Sequence, residues 1–423
     1  MNILQISTLS HRGGAARVMY RLHQDFRHQG HHSIIAARSV QHPEIDVYAL
    51  ADLTLPSNHI LRRVITALDW RMERKFAIAG LHPVPQALLQ HSILNQSEVV
   101  HLHNLHGYYF NYGALDALAT RKPVVWTLHD MWAFTGHCAY AYDCTRWQSG
   151  CGNCPLLQGK GRALVEPAAP LIDCTAAAWR KKRAVYRRTP LEVVAPSRWL
   201  QRLAQASIIG QGRIIHHIPN GIDLEIFKPC EQVKARHQWN IPLNKLVILF
   251  SAEKTSNPRK GFAFLREALM QLPNRQNIVL LVMGAGKDTD FPGFHVIHLG
   301  YLKDEYTQAA AYNAADLMVF PSLADNQPLG ILESLACGTP VVAFNTGGIP
   351  EMVRHMETGY LAHYKDTYDL CRGIQTLGEN PTRLHEMRAQ CRRVAQAEYA
   401  LSLQAQRYLS LYEQAIDSYR HDK

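Results

Sequence analysis

Two α/β domains, each a doubly wound parallel sheet, are the fold this sequence predicts, and three observations predict it. Short apolar runs alternate with helical stretches along the whole chain, the pattern of parallel strands covered by helices. The runs fall into two series of similar kind. The length of 423 residues suits two or three domains, and an apolar fraction of 47% is enough to fill their cores.

The first series comprises strands over Asn2–Ile6, His32–Ala36, Val99–Leu102, Val124–Leu128 and Glu192–Ala195. The second comprises Leu246–Ser251, Ile278–Gly284, His295–Leu299, Leu317–Phe320 and Pro340–Phe344. The first domain is therefore set at 1–200 and the second at 201–398, with the crossing near Pro196–Asn220. Residues 399–423 read as one helix, because Leu401, Ala405, Tyr408, Leu409, Tyr412 and Ile416 share a helical face. By analogy with other two-domain α/β enzymes, such a tail packs back on the first domain. No repeat or low-complexity segment interrupts the chain.

The formal charge of +10 is unevenly placed. Residues 1–195 carry 21 Lys/Arg against 13 Asp/Glu, an excess of eight, and the remainder carries an excess of two. A basic first half suggests an anionic partner such as lipid headgroups or a phosphorylated acceptor. No nucleic-acid-binding motif accompanies it, so nucleic acid is not expected. The N-terminus has no charged leader, and no run approaches the ~18 apolar residues of a membrane span. The expected location is cytoplasmic, with peripheral contact at the inner face of the membrane.

The chemistry concentrates at strand ends. After Leu317–Phe320 comes a Pro-Ser turn, a loop holding Asp325, and a helix opened by Leu329-Gly330-Ile331 with Glu333 on its first turns. A helix N-terminus following a strand offers free N–H groups and a positive dipole end, where a nucleotide phosphate binds. Two acids eight positions apart reach different hydroxyls of one ligand, which suits a phosphorylated sugar carrier. Gly13-Gly14 follow the first strand, and paired glycines there let backbone approach a ligand closely. His129 ends a strand directly, as ligand contacts in parallel sheets do. His103 and His106 cluster near it, on the side expected for the acceptor. Lys254 and Lys260 straddle a Pro-containing loop and together neutralise a diphosphate without a metal. Pro219-Asn220-Gly221-Ile222-Asp223 is a turn that tolerates unusual backbone angles.

In this order and spacing, Gly13-Gly14, the turn at Pro219–Asp223, Lys254/Lys260, Gly300-Tyr301-Leu302 and the acid-x7-acid motif from Asp325 to Glu333 resemble glycosyltransferase family 4. The resemblance covers nearly the whole chain. Trp126-Thr127-Leu128-His129-Asp130-Met131-Trp132 followed by a cysteine cluster is similar to bacterial exopolysaccharide enzymes, such as those for colanic-acid-type polymers. It implies the GT-B fold, two Rossmann-like domains facing a cleft. It also implies metal-independent transfer of a sugar from a UDP- or GDP-sugar, with retention, to a glycan or lipid-diphosphate-linked acceptor. Glu333 would hold the ribose and Asp325 the donor sugar. Lys254, Lys260 and the N–H groups from Leu329, Gly330 and Ile331 would hold the diphosphate. Gly14 would admit the donor phosphate, and His129 would contact the sugar near its reacting carbon. The usual first acid of the motif is Glu, here Asp325, and the usual first basic residue is Arg, here Lys254. Two competing readings are a sugar-nucleotide epimerase or phosphorylase of the same fold, against which the 325–333 motif speaks, and a non-catalytic sugar- or lipid-binding scaffold, against which the intact donor-site residues argue.

Cys138, Cys144, Cys151 and Cys154 stand in the pattern C-x5-C-x6-C-x2-C, while the other five cysteines are scattered. The final C-x2-C is a common zinc half-site, and four thiolates make a closed structural site. Reduced thiols and disulfides are the alternatives. Two segments suit an anionic membrane. In 60–76, Ile60, Val64, Leu68 and Met72 form a stripe, with Arg62, Arg63, Arg71, Arg74 and Lys75 largely elsewhere. The second is the dense basic run Trp179–Arg188.

Overall fold

The structure, a computed structural model, describes residues 1–54, 59–76, 88–107, 109–286, 291–421 and 423. The chain forms two compact units: Met1–Pro219 with Gln404–Lys423, and Asn220–Leu403.

The first unit holds a seven-stranded, all-parallel sheet. Its strands are β1 (Asn2–Leu9), β2 (His32–Ser39), β3 (Val47–Ala49), β4 (Val99–Leu102), β5 (Val124–Thr127), β6 (Glu192–Ala195) and β7 (Ile215–His217), in the order β3-β2-β1-β4-β5-β6-β7. β1 lies between β2 and β4, so the order reverses there, as in a doubly wound sheet. The expected end at 200 falls short: β7 pairs with β6 and carries the first unit on to Pro219.

Alternation along β1 and β4 sorts two different faces. Leu4, Ile6, Val100, Leu102 and Trp126 enter one large apolar core. The intervening Gln5, Ser7, His101 and His103 point the other way and are buried too. That polar face is covered partly by the helix Gly14–His28, whose Val18, Met19, Leu22 and Phe26 recur at helical spacing and are buried. It is also covered by the helix Leu401–His421, whose Tyr408 and Tyr412 are fully buried in this unit.

The second unit repeats the plan with six parallel strands: β8 (Leu246–Lys254), β9 (Ile278–Ala285), β10 (His295–Gly300), β11 (Leu317–Phe320), β12 (Val341–Phe344) and β13 (Gly359–Ala362), in the order β10-β9-β8-β11-β12-β13. β11 and β12 are buried along their whole length, which is why they read as unbroken apolar runs.

All ten strands expected from sequence are present, and β3, β7 and β13 are additions. Each lies at a sheet edge and is three or four residues long. β13 also begins with a glycine, a weak strand residue. Among the described residues no helix is long and apolar enough to cross a membrane.

Candidate active site

In each unit the candidate residues gather at the carboxyl ends of the strands. In the second unit the centre is Asp325, in the loop after β11. It is 6% exposed, and its carboxylate accepts hydrogen bonds from Arg259 Nη1 at 2.8 Å, Lys260 Nζ at 2.9 Å and the Ser322 hydroxyl. Burial alone would raise the Asp325 carboxyl. Lys260 and Arg259 outweigh it, with Ser322 assisting, and hold it below the ordinary carboxylate range. At neutral pH this group is an anion that only accepts hydrogen bonds.

The backbone around it has little freedom. Gly347 stands at φ 60°, and a Cβ there would lie 2.1 Å from the Asp325 carbonyl oxygen. Gly261 stands at φ 72°, and a Cβ would lie 1.8 Å from the Pro321 oxygen. The turn Pro258–Lys260, capped by the Asn257 side chain and closed by Gly261, turns Arg259 and Lys260 together onto Asp325.

Asp325 leads into the helix Leu329–Ala336. No side chain caps its N-terminus, which opens at Pro328. Leu329 and Ile331 are buried, and Gly330 places its α-carbon where a Cβ would touch Tyr312 Oη at 3.4 Å. Glu333, 2% exposed, accepts a hydrogen bond from Tyr312 Oη at 3.0 Å. A buried acid on a helix whose other side chains, Ser334 apart, are apolar is the exception that points to a role. The Asn220 turn closes on the same loop: its N–H donates to Gln327 Oε1 at 2.6 Å.

Sequence reasoning paired Lys260 with Lys254. The structure instead pairs it with Arg259, while Lys254 is exposed at the end of β8. The signal for Arg259 was its adjacency to Lys260 between a proline and a glycine.

In the first unit, Gly13 takes φ 87° at the start of the helix Gly14–His28, and a Cβ on Gly13 or Gly14 would meet nothing within 4 Å. Space is therefore open beside this helix start. His129 follows β5 and is half-buried. Burial pushes its imidazole down to about 4, so it is neutral at pH 7. Its Nε2 lies 3.0 Å from His103 Nδ1, and His103 Nε2 lies 3.2 Å from Gln5 Oε1. Gln5 in turn donates to Ser33 Oγ, which fixes its oxygen toward His103. That oxygen can only accept, so His103 carries its proton on Nε2 and accepts at Nδ1 from His129 Nε2–H. His129 is thereby held as the tautomer with a lone pair on Nδ1.

His103 itself is 1% exposed with both ring nitrogens engaged, so it does not face an acceptor. Its place is behind His129. His106 is half-buried, 3.1 Å from Asp130 Oδ2 and edge-on to Trp132. Burial would raise Asp130, but His106 and the Trp132 N–H keep it below its ordinary value. A second chain lies deeper: Tyr412 Oη is 2.6 Å from His101 Nδ1, His101 Nε2 is 2.7 Å from Thr127 Oγ1, and Thr127 Oγ1 is 2.7 Å from Tyr408 Oη.

The basic run Trp179–Arg188 packs one side into the first unit and exposes Arg180, Arg187 and Arg188. In the helix Thr175–Tyr186, Trp179, Lys182 and Tyr186 are buried, donating to Trp147 O, to Thr135 O and Trp132 O, and to Ala133 O. The helix His59–Phe76 does expose Ile60, Leu61, Val64, Leu68 and Trp70, while Met72 is half-buried. The side chains of Arg62 and Arg74 lie outside the described ones.

Cys138, Cys144, Cys151 and Cys154 line one small cavity of about 20 Å³ in the first unit. Among the described residues, His363, Asp366 and Asp369 form the one set of three potential ligands whose atoms lie within 4.8 Å of one another. Asp369 there is already taken by Arg372, Tyr360 and the His363 ring.

Comparison with known proteins bears on the family and the fold. A family described as Glycosyltransferase Family 4 matches residues 12–226, and one described as Glycosyl transferases group 1 matches 245–380. The chain is 26% identical over 379 residues to a putative colanic acid biosynthesis glycosyl transferase, WcaC, of Escherichia coli K12, covering 84% of this chain and 85% of that one. Among solved structures it is similar to sucrose-phosphate synthase of Thermosynechococcus elongatus, with TM-score 0.70 and 17% identity over 99% and 100% of the two chains. It is also similar to HepE of Anabaena, solved in complex with UDP, with TM-score 0.65 and 17% identity over 98% and 100%.

Proposed function

The chain belongs to glycosyltransferase family 4, with the GT-B fold, and we propose that it moves a sugar from a nucleoside-diphosphate donor to a glycan or lipid-linked acceptor in bacterial exopolysaccharide assembly. The observation that carries this reading is the buried Asp325, held ionised by Arg259 and Lys260 beside a helix that carries the buried Glu333. WcaC, by its name a colanic acid enzyme, supports the exopolysaccharide assignment.

In this reading Glu333 receives the ribose hydroxyls and Asp325 a hydroxyl of the donor sugar. The Asp325 lone pairs are already occupied by Arg259, Lys260 and Ser322. A donor diphosphate offers Lys260 a stronger anionic partner. As Lys260 moves to it, an Asp325 oxygen is released to accept from the sugar. Lys254 and the N–H groups opening at Leu329, Gly330 and Ile331 add to the diphosphate site. Within the first unit, the open Gly13–Gly14 backbone suits a phosphate and neutral His129 suits a sugar hydroxyl.

Transfer proceeds with retention and without a catalytic metal. The acceptor oxygen bonds to the anomeric carbon on the face from which the phosphate departs. The carbon–phosphate oxygen bond breaks, and the acceptor proton passes to that phosphate oxygen. No side chain forms a covalent intermediate, so positioning and charge stabilisation carry the rate. The exposed apolar residues Ile60, Leu61, Val64 and Leu68, with exposed Arg63, Arg71 and Lys75 on the same helix, support an anionic membrane as the place where a lipid-linked acceptor is met.

The test is a thermal-shift panel of UDP, GDP and ADP with their sugar conjugates, with and without brief EDTA. One nucleotide should stabilise the protein irrespective of EDTA. Glu333→Ala should abolish that stabilisation and lower transfer by about 100-fold or more. Unchanged transfer in this variant would sink the assignment.

A further inference from the structure

We propose that Cys138, Cys144, Cys151 and Cys154 bind one structural zinc ion as four thiolates. All nine cysteines are unbridged, and these four, distant in their spacing, converge on one cavity of about 20 Å³. That space is on the scale of a single water or ion. No three of these sulfurs lie within 4.8 Å of one another, so the four have to close inward to reach the ~3.8 Å edge of a tetrahedron built on zinc–sulfur bonds of about 2.3 Å.

Cys138, Cys144 and Cys151 pack against the large apolar core, and the loop that carries Cys151 and Cys154 adds the features of a ligand site. Gly150, Cys151, Gly152 and Asn153 all take positive φ, so the C-x2-C segment wraps tightly. N–H groups aim at its sulfurs: Gly136 donates to Cys151 Sγ at 3.2 Å, and Leu156 and Leu157 donate to Cys154. N–H donors to sulfur stabilise thiolates and orient them toward a metal. An outer layer fixes the turn. Asp173 accepts from the Cys154 N–H at 2.7 Å, and Thr175 Oγ1 accepts from the Gly152 N–H at 3.0 Å.

Charge agrees as well. Four thiols lose four protons on binding one Zn²⁺, leaving a site of charge −2. The fully buried Lys182 ammonium acts on Cys151 through space and offsets part of it. Four protein ligands leave no position for water, so the ion is structural. It pins the loop from Cys138 to Cys154, which the Gly152–Thr175 and Cys154–Asp173 hydrogen bonds join to the start of the helix Thr175–Tyr186.

The full-length protein, purified under reducing conditions without chelator, should carry one zinc per chain by mass spectrometry of the metal. X-ray absorption should show four sulfur neighbours at about 2.3 Å. A Cys151→Ser/Cys154→Ser variant should lose the zinc, while Cys230→Ser, at an exposed cysteine outside the cluster, should keep it. Trp147 lines the cavity, so stripping zinc with a strong chelator should also change tryptophan emission. If the cysteine variant fails to fold, the wild-type stoichiometry and absorption spectrum decide alone. A wild-type protein with four freely titrating thiols and no metal, with disulfides in this segment, or with iron in place of zinc overturns the proposal.

Discussion

The two units bury most of their polar groups by different means. The first keeps its buried histidines neutral, alongside the charged Asp130 and Lys182: His23, His129 and His137 are pushed down to about 4 by burial, His101 to about 3, and His103 well below its ordinary value. They are linked by hydrogen bonds between uncharged partners. The second relies on pairing: Asp325 keeps its charge and is answered by two cations. One topology thus accommodates either solution, and the choice fixes how each unit responds to pH and to mutation.

The largest expected effect is on the first unit in mild acid. A histidine neutral when folded and ordinary when unfolded contributes stability that is complete above pH 6.5 and is lost as pH falls toward its folded value. Each contributes up to about 1.4 kcal/mol per pH unit, so His23, His101, His103 and His137 together threaten most of a domain's margin by pH 5. The sign is opposite to a loss of charge pairs on the alkaline side. Asp325 adds stability above the ordinary carboxylate range and loses it only as pH falls below about 4. Six of the seven tryptophans lie before residue 220. Their emission should therefore unfold at markedly lower temperature at pH 5 than at pH 7, ahead of the remaining far-UV ellipticity. Coincident transitions at both pH values would erase the contrast.

Next in size is Asp325→Asn, which keeps the shape and removes the charge. Removing one partner of a buried ion pair costs about 3–5 kcal/mol, and transfer should fall by about 10³. Denaturant titration and steady-state rates read both. A variant of wild-type stability would show that Arg259 and Lys260 are content in water.

A smaller effect is expected behind the first-unit site. His103→Phe should lower kcat about tenfold through loss of the His129 tautomer, with donor KM little changed, and His103→Asn should recover part by accepting from His129 Nε2–H. Equal losses in both variants would mean that His103 only fills space. The smallest effect is Lys254→Ala. This exposed lysine should weaken donor binding only a few-fold by calorimetry, and less in high salt, because screened charges count little.

Much of this was legible in the chain. Strands buried on both faces announce themselves as apolar runs, and Asp325, Lys260 and Glu333 stand out as charges at their ends. Arg259 was passed over because helix or strand periodicity does not reach into a one-turn loop. Its direction depends on Gly261 at φ 72°, which the sequence shows only as a glycine. His103 was placed on the acceptor side because it clusters with His106 near His129, whereas one residue past β4 it turns inward beside Gln5. The polar inner face of β1 and β4 is readable in Val100-His101-Leu102-His103 only once one knows that tyrosines from some 300 residues later cover it.

That covering has a consequence for how the protein is made. Tyr408 and Tyr412 complete the hydrogen bonds of Thr127 and His101, both fully buried. A ribosome that has finished residue 219 has still to synthesise the second unit before Tyr412 emerges, roughly 10–40 s later at ~5–20 residues per second. For that interval the His101 imidazole and the Thr127 hydroxyl of the nascent first unit are without their tyrosine partners. The order of emergence is therefore not the order of completion: the unit translated first is the last to close.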